Sequence, residues 1–365
     1  MLLQGITKDE REVRVLGEGQ SLSQAYSLGN NKEKLAALLA VAQGARRALL
    51  VTHNDPDPDA IGSAVGLAGL MRRRLAIEAT IAYRGIVGRA ENKAMVRELA
   101  IPLVPFCGLN CANFDLIALV DSQPGAGNQP LGTSCKPSIV VDHHPLRADT
   151  LAVPFWDVRP QYSSVSAMVT GYLRAARLRP SPQVATALFY GIKADTLGLS
   201  RLSQGDDTWA YVYLQRYLDR EALVRIENAG VPAGYFRALD KALHHTGIQD
   251  GLVVARLGEM PYPDMAAEVA DFLCRLEGAK ITVAVGHYAG EVVISVRSLE
   301  RRLRLDELVQ EVVREDGLAG GHDFMAAGRV PATLAGSVER TEEEVIRRFA
   351  HALGLHQFNP MPLVP

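Results

Sequence analysis

Five short segments of this chain carry carboxylates and imidazoles at spacings that suit metal-assisted hydrolysis. They are His53-Asn54-Asp55-Pro56-Asp57-Pro58-Asp59, Asp121 after LIALV, Asp142-His143-His144 after SIVV, Asp195 in YGIKADT, and Gly320-Gly321-His322. In the first segment the prolines hold the backbone extended. Residues two apart in an extended segment share a face, so Asp55, Asp57 and Asp59 are expected on one side, with Asp59 also placed to cap the helix that follows. Asp121 closes an apolar run and belongs at the mouth of a sheet. Two histidines and a carboxylate at a buried strand end are costly unless they ligate or pair. Taken alone, each segment has an ordinary reading: an acidic turn, an Asx turn, a solvated histidine loop, a helix end. Together they form a mixed carboxylate and imidazole set. Such a set suits two divalent ions, Mn²⁺ first, with Mg²⁺, Co²⁺ or Fe²⁺ as alternatives; structural Zn²⁺ favours cysteine. Two ions about 3.5–4 Å apart, bridged by one carboxylate, activate a water and stabilise in-line displacement at phosphorus.

Elements must bring these pieces together. Residues 32–47 read as a helix and ALLVTH (48–53) as a short buried strand. A helix follows from near Asp59, its small residues Gly62, Ser63, Ala64 and Gly66 allowing close packing on a sheet. EATIAY, Asp115–Val120 and SIVVD (138–142) read as further strands, and SSVSAMVTGYLRAARL and VATALFYGIKADT as helices. This alternation predicts an α/β fold, a doubly wound and mainly parallel sheet. Ligands of such sheets sit at the carboxyl ends of strands, where His53, Asp121 and Asp142 fall. From Gly251 the pattern changes to GLVVARL, KITVAVGHY and EVVISVRS with helices at about 264–276, 305–315 and 339–354, a second, smaller α/β domain. The expected division is an extension over 1–30, a metal-binding domain over 31–205, a helical connector over 206–245, the smaller domain over 246–355 and a tail over 356–365. The run Gly317-Leu318-Ala319-Gly320-Gly321 is read as a turn that brings backbone close to a ligand.

The bulk composition narrows the classes. A chain of 365 residues suits two domains, and 48% hydrophobic content supplies their cores. A formal net charge of −2 leaves no global basic footprint for long duplex nucleic acid. Cys107, Cys111, Cys135 and Cys274 include no CxxC pair. They are expected as free thiols in a reducing cytosol. No signal-peptide pattern opens the chain and no run of about 18 apolar residues exists, so a cytoplasmic protein without membrane contact is expected. Homodimerisation is an expectation resting on the apolar helices alone.

These residues resemble the DHH phosphoesterase superfamily, named for the Asp-His-His that stands here as Asp142-His143-His144. The family's first motif, H-x-x-P-D-x-D-A-x-G-S, matches His53 through Ser63; the second matches Asp121; the fourth, G-I-x-x-D-T, matches Gly191 to Thr196. The later residues look like the family's associated substrate-binding domain. Its S-x-R-S segment matches Ser295-Val296-Arg297-Ser298, and its G-G-H…A-A-G loop matches Gly320-Gly321-His322 and Ala326-Ala327-Gly328. The resemblance covers about residues 35 to 350.

The resemblance implies one metal held by His53, Asp57 and Asp121, and a second held by Asp59, Asp121, His143 and Asp195, with Asp121 bridging. It places His144 beside the scissile phosphate and makes Asp142 the group that orients the histidines. Asp55 has no counterpart in that ligand set. Arg297, Ser298, Gly320, Gly321 and His322 become substrate contacts. The layout is nearest to the bifunctional oligoribonuclease and pAp phosphatase (nanoRNase) group. It implies a two-metal-dependent phosphoesterase acting on short single-stranded RNA or DNA oligonucleotides (nanoRNA) or on pAp, by in-line attack of a metal-bridging water. Two alternatives stand beside it: a phosphodiesterase for c-di-AMP or pApA, and a non-catalytic nucleotide or nucleic-acid binding module. This sequence departs from the family pattern twice. Three residues, Asp323, Phe324 and Met325, separate His322 from Ala326 where relatives usually have two, and Leu197 stands between Thr196 and Gly198. Both departures fall at loops expected to touch substrate.

Overall fold

The computed structural model describes residues 31–200, 205–298, 300, 303–322, 324–355 and 358–364. The expected extension over residues 1–30 and positions 356, 357 and 365 of the tail lie outside the described residues. The chain divides into two compact units, Met1–Ala229 and Gly230–Pro365.

The first unit runs α1 (Asn31–Ala42), β1 (Arg47–Val51), α2 (Pro58–Leu75), β2 (Glu78–Tyr83), α3 (Ala90–Glu98), β3 (Leu103–Pro105), β4 (Leu116–Val120), β5 (Ile139–Asp142), β6 (Phe155–Val158), α4 (Val165–Ala175), α5 (Pro182–Thr196), α6 (Gly205–Leu214) and α7 (Arg220–Glu227). Its strands pair in the order β3-β2-β1-β4-β5-β6, and all of these pairings are parallel. This is the doubly wound arrangement that the strand–helix alternation predicts. Every residue of β4 (LIALV) and β5 (IVVD) is buried, as expected when helices or loops cover both faces of a parallel sheet. Leu50, Ala118, Val120 and Val141 enter the core with α2, α4 and α5. Leu49, Val51, Leu119 and Val140 face the opposite side. The edge strands β3 and β6 escape a sequence reading because three or four residues are too few to show a period.

The start of α2 differs from expectation. Asp57, not Asp59, is the N-cap: it has extended φ and ψ, and its Oδ1 accepts from the Ala60 N–H at 2.9 Å. Pro58 is the cause, since its fixed φ and missing N–H suit the first helical position and move the cap two residues back. Asp59 is left inside the first turn, fully buried. The cysteines also differ from expectation. Cys111 and Cys135 form a disulfide across 24 residues, while Cys107 and Cys274 keep their thiols out of any disulfide. A spacing rule does not see this pair, because the fold joins a turn before β4 to the connection after it.

The second unit runs α8 (Ala233–His244), β7 (Thr246–Gln249), β8 (Leu252–Glu259), α9 (Met265–Leu273), β9 (Ile281–Tyr288), β10 (Glu291–Ser298), α10 (Leu305–Val313), β11 (Leu318–His322), β12 (Met325–Pro331), α11 (Val338–Ala352) and β13 (Met361–Pro362). Its sheet has the order β11-β12-β10-β9-β8-β7-β13. The β8–β9 pair is parallel and the remaining pairs are antiparallel. The polar helical stretch 206–245 is shared: α6 and α7 belong to the first unit and α8 opens the second. Where a turn was read over Gly317–Gly321, the structure has an edge strand, Gly320 facing Ala327 and Gly321 facing Ala326 in the register with β12. An edge strand still turns alternate backbone groups away from its partner.

Candidate metal centre

The ligand-bearing ends converge because of the strand order. β1 lies between β2 and β4, so the chain direction of the winding reverses there, and the crevice outside the carboxyl ends of β1 and β4 is where such sheets bind ligands. His53 follows β1 by two residues, Asp121 follows β4 directly, and Asp142 ends β5. The helical layer delivers the rest. Asp59 lies in the first turn of α2 and Asp195 in the last turn of α5. α2 packs closely on its neighbours because it carries glycine where they touch: a Cβ at Gly62 would lie 2.5 Å from the Ala187 carbonyl oxygen, and one at Gly66 would lie 2.7 Å from Val169.

Backbone carbonyls set the imidazole orientation. His53 Nδ1 lies 2.8 Å from the Asn54 carbonyl oxygen and His143 Nδ1 3.2 Å from that of Tyr162. A carbonyl only accepts, so each Nδ1 carries a proton and Nε2 is the ring nitrogen turned toward the carboxylates. His53 Nε2 stands 3.6 Å from Asp121 Oδ2 and 3.7 Å from Asp57 Oδ1. His143 Nε2 stands 3.5 Å from Asp121 Oδ1 and 3.9 Å from Asp195 Oδ2. Among the described residues, three groups have ligand atoms within 4.8 Å of one another: His53, Asp57 and Asp121; Asp59, His143 and Asp195; and Asp121, His143 and His144. Asp121 therefore joins two separate clusters. It adopts φ of +58°, a left-handed conformation that aspartate tolerates better than most residues and that is often found at functional sites.

The electrostatics call for a cation. Asp121 Oδ1 is buried and has no hydrogen-bond partner among the described residues. Burial, followed by the charge of Asp59, pushes the Asp121 carboxyl well above the ordinary range. Burial, followed by the charge of Asp57, raises Asp59 to about 7 even though the Val165 and Ser166 N–H groups at the start of α4 both donate to it, at 2.7 and 2.8 Å. Burial opposes a charge on His53, but Asp57 and Asp121 outweigh it and lift the ring to about 10. Burial opposes the charge of Asp57 as well, and His53 holds that carboxyl below its ordinary value. Asp195 sits at a helix C-terminus, where the dipole disfavours a carboxylate. A divalent ion among these oxygens and Nε2 atoms would relieve each of these costs, so the donor set fits a hard or borderline cation.

His144 is different. Its Nδ1 donates to Asp142 Oδ1 at 2.8 Å, and its side chain is 39% exposed. Burial opposes its charge, but Asp142 outweighs burial and raises the ring to about 9. Asp142 is buried, and His144 and His143 hold its carboxyl low against burial. Asp55 is turned away from the cluster: its Oδ1 accepts from the Ile86 N–H at 2.9 Å. Sequence reasoning missed two supports of the centre. One is Gln123, whose side chain contacts Asp142. The other is the segment 159–166, which supplies the Tyr162 carbonyl to His143 and two N–H groups to Asp59. Neither holds a metal-ligand residue type, so composition gave no signal.

In the second unit, Arg297 is buried and half-committed. Its Nε donates to Asp271 Oδ1 at 2.5 Å, and its Nη1 donates to Ser295 Oγ and the Val296 carbonyl. Three of its five N–H donors are thus used, leaving those on Nη2. Ser298, expected as a substrate contact, has its hydroxyl engaged by backbone: it donates to the Lys280 carbonyl at 2.7 Å and accepts from Glu300 N–H at 3.0 Å. The side chain of His322 lies outside the described residues; its backbone ends β11.

Comparison with known proteins places part of the first unit in a family. The model of the DHH family, N-terminal domain, matches residues 47–192, a span that contains His53, Asp57, Asp59, Asp121, Asp142, His143 and His144. Residues 47–192 are a DHH-family domain. An uncharacterized protein of Methanocaldococcus jannaschii is 34% identical over 301 residues, covering 82% of this chain and 61% of that protein. The cyclic-di-AMP phosphodiesterase GdpP of Geobacillus thermodenitrificans is 27% identical over 320 residues, covering 83% of this chain and 47% of that protein. The chain thus spans about half to three-fifths of these curated relatives. Among solved structures, an exopolyphosphatase-related protein from Bacteroides fragilis superposes with a TM-score of 0.68 at 15% identity, covering 88% of this chain and 96% of that one. At that identity the likeness is one of fold.

Proposed function

We propose that this DHH-family chain is a phosphoesterase dependent on two divalent ions, Mn²⁺ first among them, acting on short oligonucleotides or small nucleotides such as pAp. The observation that carries the proposal is the place of Asp121, a buried carboxylate with one unpartnered oxygen that stands in two ligand clusters at once. His53, Asp57 and Asp121 would hold one ion, and Asp59, Asp121, His143 and Asp195 the other. Ions bound there supply Lewis acidity and lower the pKa of water toward neutrality. The chain's own groups do the remaining work. The Asn54 and Tyr162 carbonyls fix the two Nε2 atoms. His144, charged at neutral pH and pinned through Nδ1, would offer Nε2–H to a phosphoryl or leaving-group oxygen. Arg297 would offer its Nη2 donors to a phosphate of the substrate.

A second reading has its own support. The relative named as a cyclic-di-AMP phosphodiesterase aligns over 83% of this chain, which favours a cyclic dinucleotide or its linear product pApA as substrate of the same centre. One experiment separates the readings: hydrolysis by purified protein with Mn²⁺ of a two-to-five-nucleotide RNA, pAp, pApA and c-di-AMP at equal concentration. Mononucleotides from the RNA, or phosphate from pAp, support the first reading. Preferred opening of c-di-AMP supports the second. Bound Mn²⁺ without turnover of any of them rejects both.

A further inference from the structure

We propose that Gln123 is a positioning residue for His144, acting through Asp142; its kinetic test rests on the phosphoesterase reading above. Gln123 is 1% exposed and both ends of its amide are committed. The Oε1 atom accepts from the Arg147 N–H at 2.9 Å and from Thr150 Oγ1 at 2.9 Å. A backbone N–H can only donate, which fixes the amide orientation and turns Nε2 the other way. Nε2 then donates to Asp142 Oδ2 at 2.6 Å and to the Pro145 carbonyl at 3.1 Å.

The consequence falls on Asp142. With Oδ2 held by Gln123, the carboxylate plane is set and Oδ1 is presented to one place. There it accepts from His144 Nδ1 at 2.8 Å, from the His143 N–H at 2.8 Å and from the His144 N–H at 3.3 Å. Rotation of the carboxylate would break all of these together. Gln123 therefore ties the first residues after β4 to the residues after β5, and the imidazole at the rim of the centre takes its direction from the amide. The hydrogen bonds of Gln123 go to Asp142, Pro145, Arg147 and Thr150, so its influence reaches the His144 side chain through Asp142 and reaches His143 only at the backbone N–H.

The test uses Gln123→Met, which keeps length and volume but removes both amide functions, with Thr150→Val as a milder variant that removes one donor to Oε1. Partners of this outer kind cost about 10–100-fold when lost, so kcat on the best substrate should fall by that range. KM and Mn²⁺ affinity should stay within about twofold, and Thr150→Val should fall between wild type and Gln123→Met. In the background of Asp142→Asn, Gln123→Met should add little, because the two act in one chain. A second readout needs no turnover. In metal-free protein with ¹⁵N-labelled histidine, the His144 Nδ1–H proton should resonate far downfield, and Gln123→Met should shift or broaden it. An unchanged resonance, an unchanged kcat, or a kcat loss matched by an equal loss of Mn²⁺ affinity would overturn the proposal. If wild type hydrolyses none of the substrates, the phosphoesterase reading fails and the resonance alone decides the role of Gln123.

Discussion

His143 Nε2 stands 3.5 Å from Asp121 Oδ1, the carboxylate oxygen buried without a hydrogen-bond partner. Because His143 Nδ1 faces the Tyr162 carbonyl, a neutral ring turns a lone pair toward that oxygen. With Asp121 ionised, two acceptors then face each other in a buried place, an arrangement that costs free energy unless a proton or a cation lies between them. The same aspartate faces His53 through its other oxygen, where the imidazole, lifted to about 10, holds a proton in the place a cation would take.

Replacement of Asp121 should separate binding from folding. Asp121→Asn removes a buried carboxylate whose ionisation is opposed by burial and by Asp59. The metal-free variant should melt no lower than wild type at pH 8, and the rise in Tm that Mn²⁺ gives wild type should be absent. Loss of an outer-shell partner costs about 10–100-fold in activity; loss of a group shared by two clusters should exceed that. Differential scanning calorimetry with and without Mn²⁺, together with turnover, checks both arms. A variant that still gains stability from Mn²⁺ would remove Asp121 from the ligand set.

Metal affinity should depend on pH through Asp59. Its carboxyl is raised to about 7 by burial and by Asp57, and a ligand must be deprotonated to bind. His53, raised to about 10, already displaces a proton over this range, so the Mn²⁺ affinity should fall as the pH drops and fall more steeply below pH 7, where Asp59 adds its own, by up to about tenfold per pH unit for each proton displaced. For the metal-free fold the sign is fixed by the same shift. A carboxyl raised from 3.8 to about 7 contributes stability that is full below pH 3.8 and lost as the pH rises through 7. His53, raised from 6.5 to about 10, contributes stability that is full below pH 6.5 and lost as the pH rises through 10. Titration calorimetry at pH 6, 7 and 8 in buffers of different ionisation enthalpy measures the released protons. An affinity whose slope does not steepen between pH 8 and pH 6 would contradict the shift of Asp59.

Much of this centre was legible in the sequence. His53, Asp121 and Asp142 end apolar runs whose type and spacing specify strands, and a parallel sheet gathers strand ends on one side. Asp57 and Asp59 were legible as acidic neighbours, but their division of labour was not: Pro58 decides which of them caps α2, and only the fold shows that the start of α4 donates to Asp59. Gln123 and Tyr162 were invisible for a different reason. Gln123 acts through an amide that resembles an ordinary turn residue, and Tyr162 acts on His143 through its backbone carbonyl, which no side-chain pattern reports. The Cys111–Cys135 pair was lost to reasoning from spacing, since its two halves lie on different connections.

Support for His143 should extend into the core through Arg159. Its guanidinium binds buried Asp157 through two bonds, Nε to Oδ1 at 2.8 Å and Nη2 to Oδ2 at 2.6 Å, and Tyr172 also donates to Asp157. Nη1 reaches Asn31 Oδ1 and Tyr162 Oη, and the Arg159 carbonyl accepts from the Tyr162 N–H. Removing one partner of a buried ion pair typically costs about 3–5 kcal/mol. Arg159→Met should lose that much in urea unfolding and should weaken Mn²⁺ binding as the Tyr162 carbonyl shifts. Lys34, which lies 3.6 Å from the same aspartate but is partly exposed, should cost under about 1 kcal/mol as Lys34→Met. Equal losses from the two variants would contradict the role given to Arg159.

Two glycines of the helical layer should respond to alanine with opposite signs. A Cβ at Gly191 of α5 would lie 2.4 Å from Ser166 Oγ and 3.0 Å from both the Asp59 Cα and the Pro58 carbonyl oxygen. The last two are backbone and cannot turn aside, so α5 must move away from the start of α2, carrying Asp195 with it. Overpacking of this kind costs about 1–3 kcal/mol, against about 1 kcal/mol gained from helix propensity. Gly191→Ala should therefore lower Tm and reduce Mn²⁺ affinity together, because the displaced elements hold Asp59 and Asp195. At Gly69 of α2 a Cβ would meet only Val184, at an ordinary 3.8 Å. Nothing there opposes the propensity gain, and Gly69→Ala should raise Tm by a few degrees, about 2–4 °C per kcal/mol for a unit of this size, leaving Mn²⁺ affinity unchanged. A Gly191→Ala protein that bound Mn²⁺ as wild type would mean that the helix contact does not set the distance between Asp59 and Asp195.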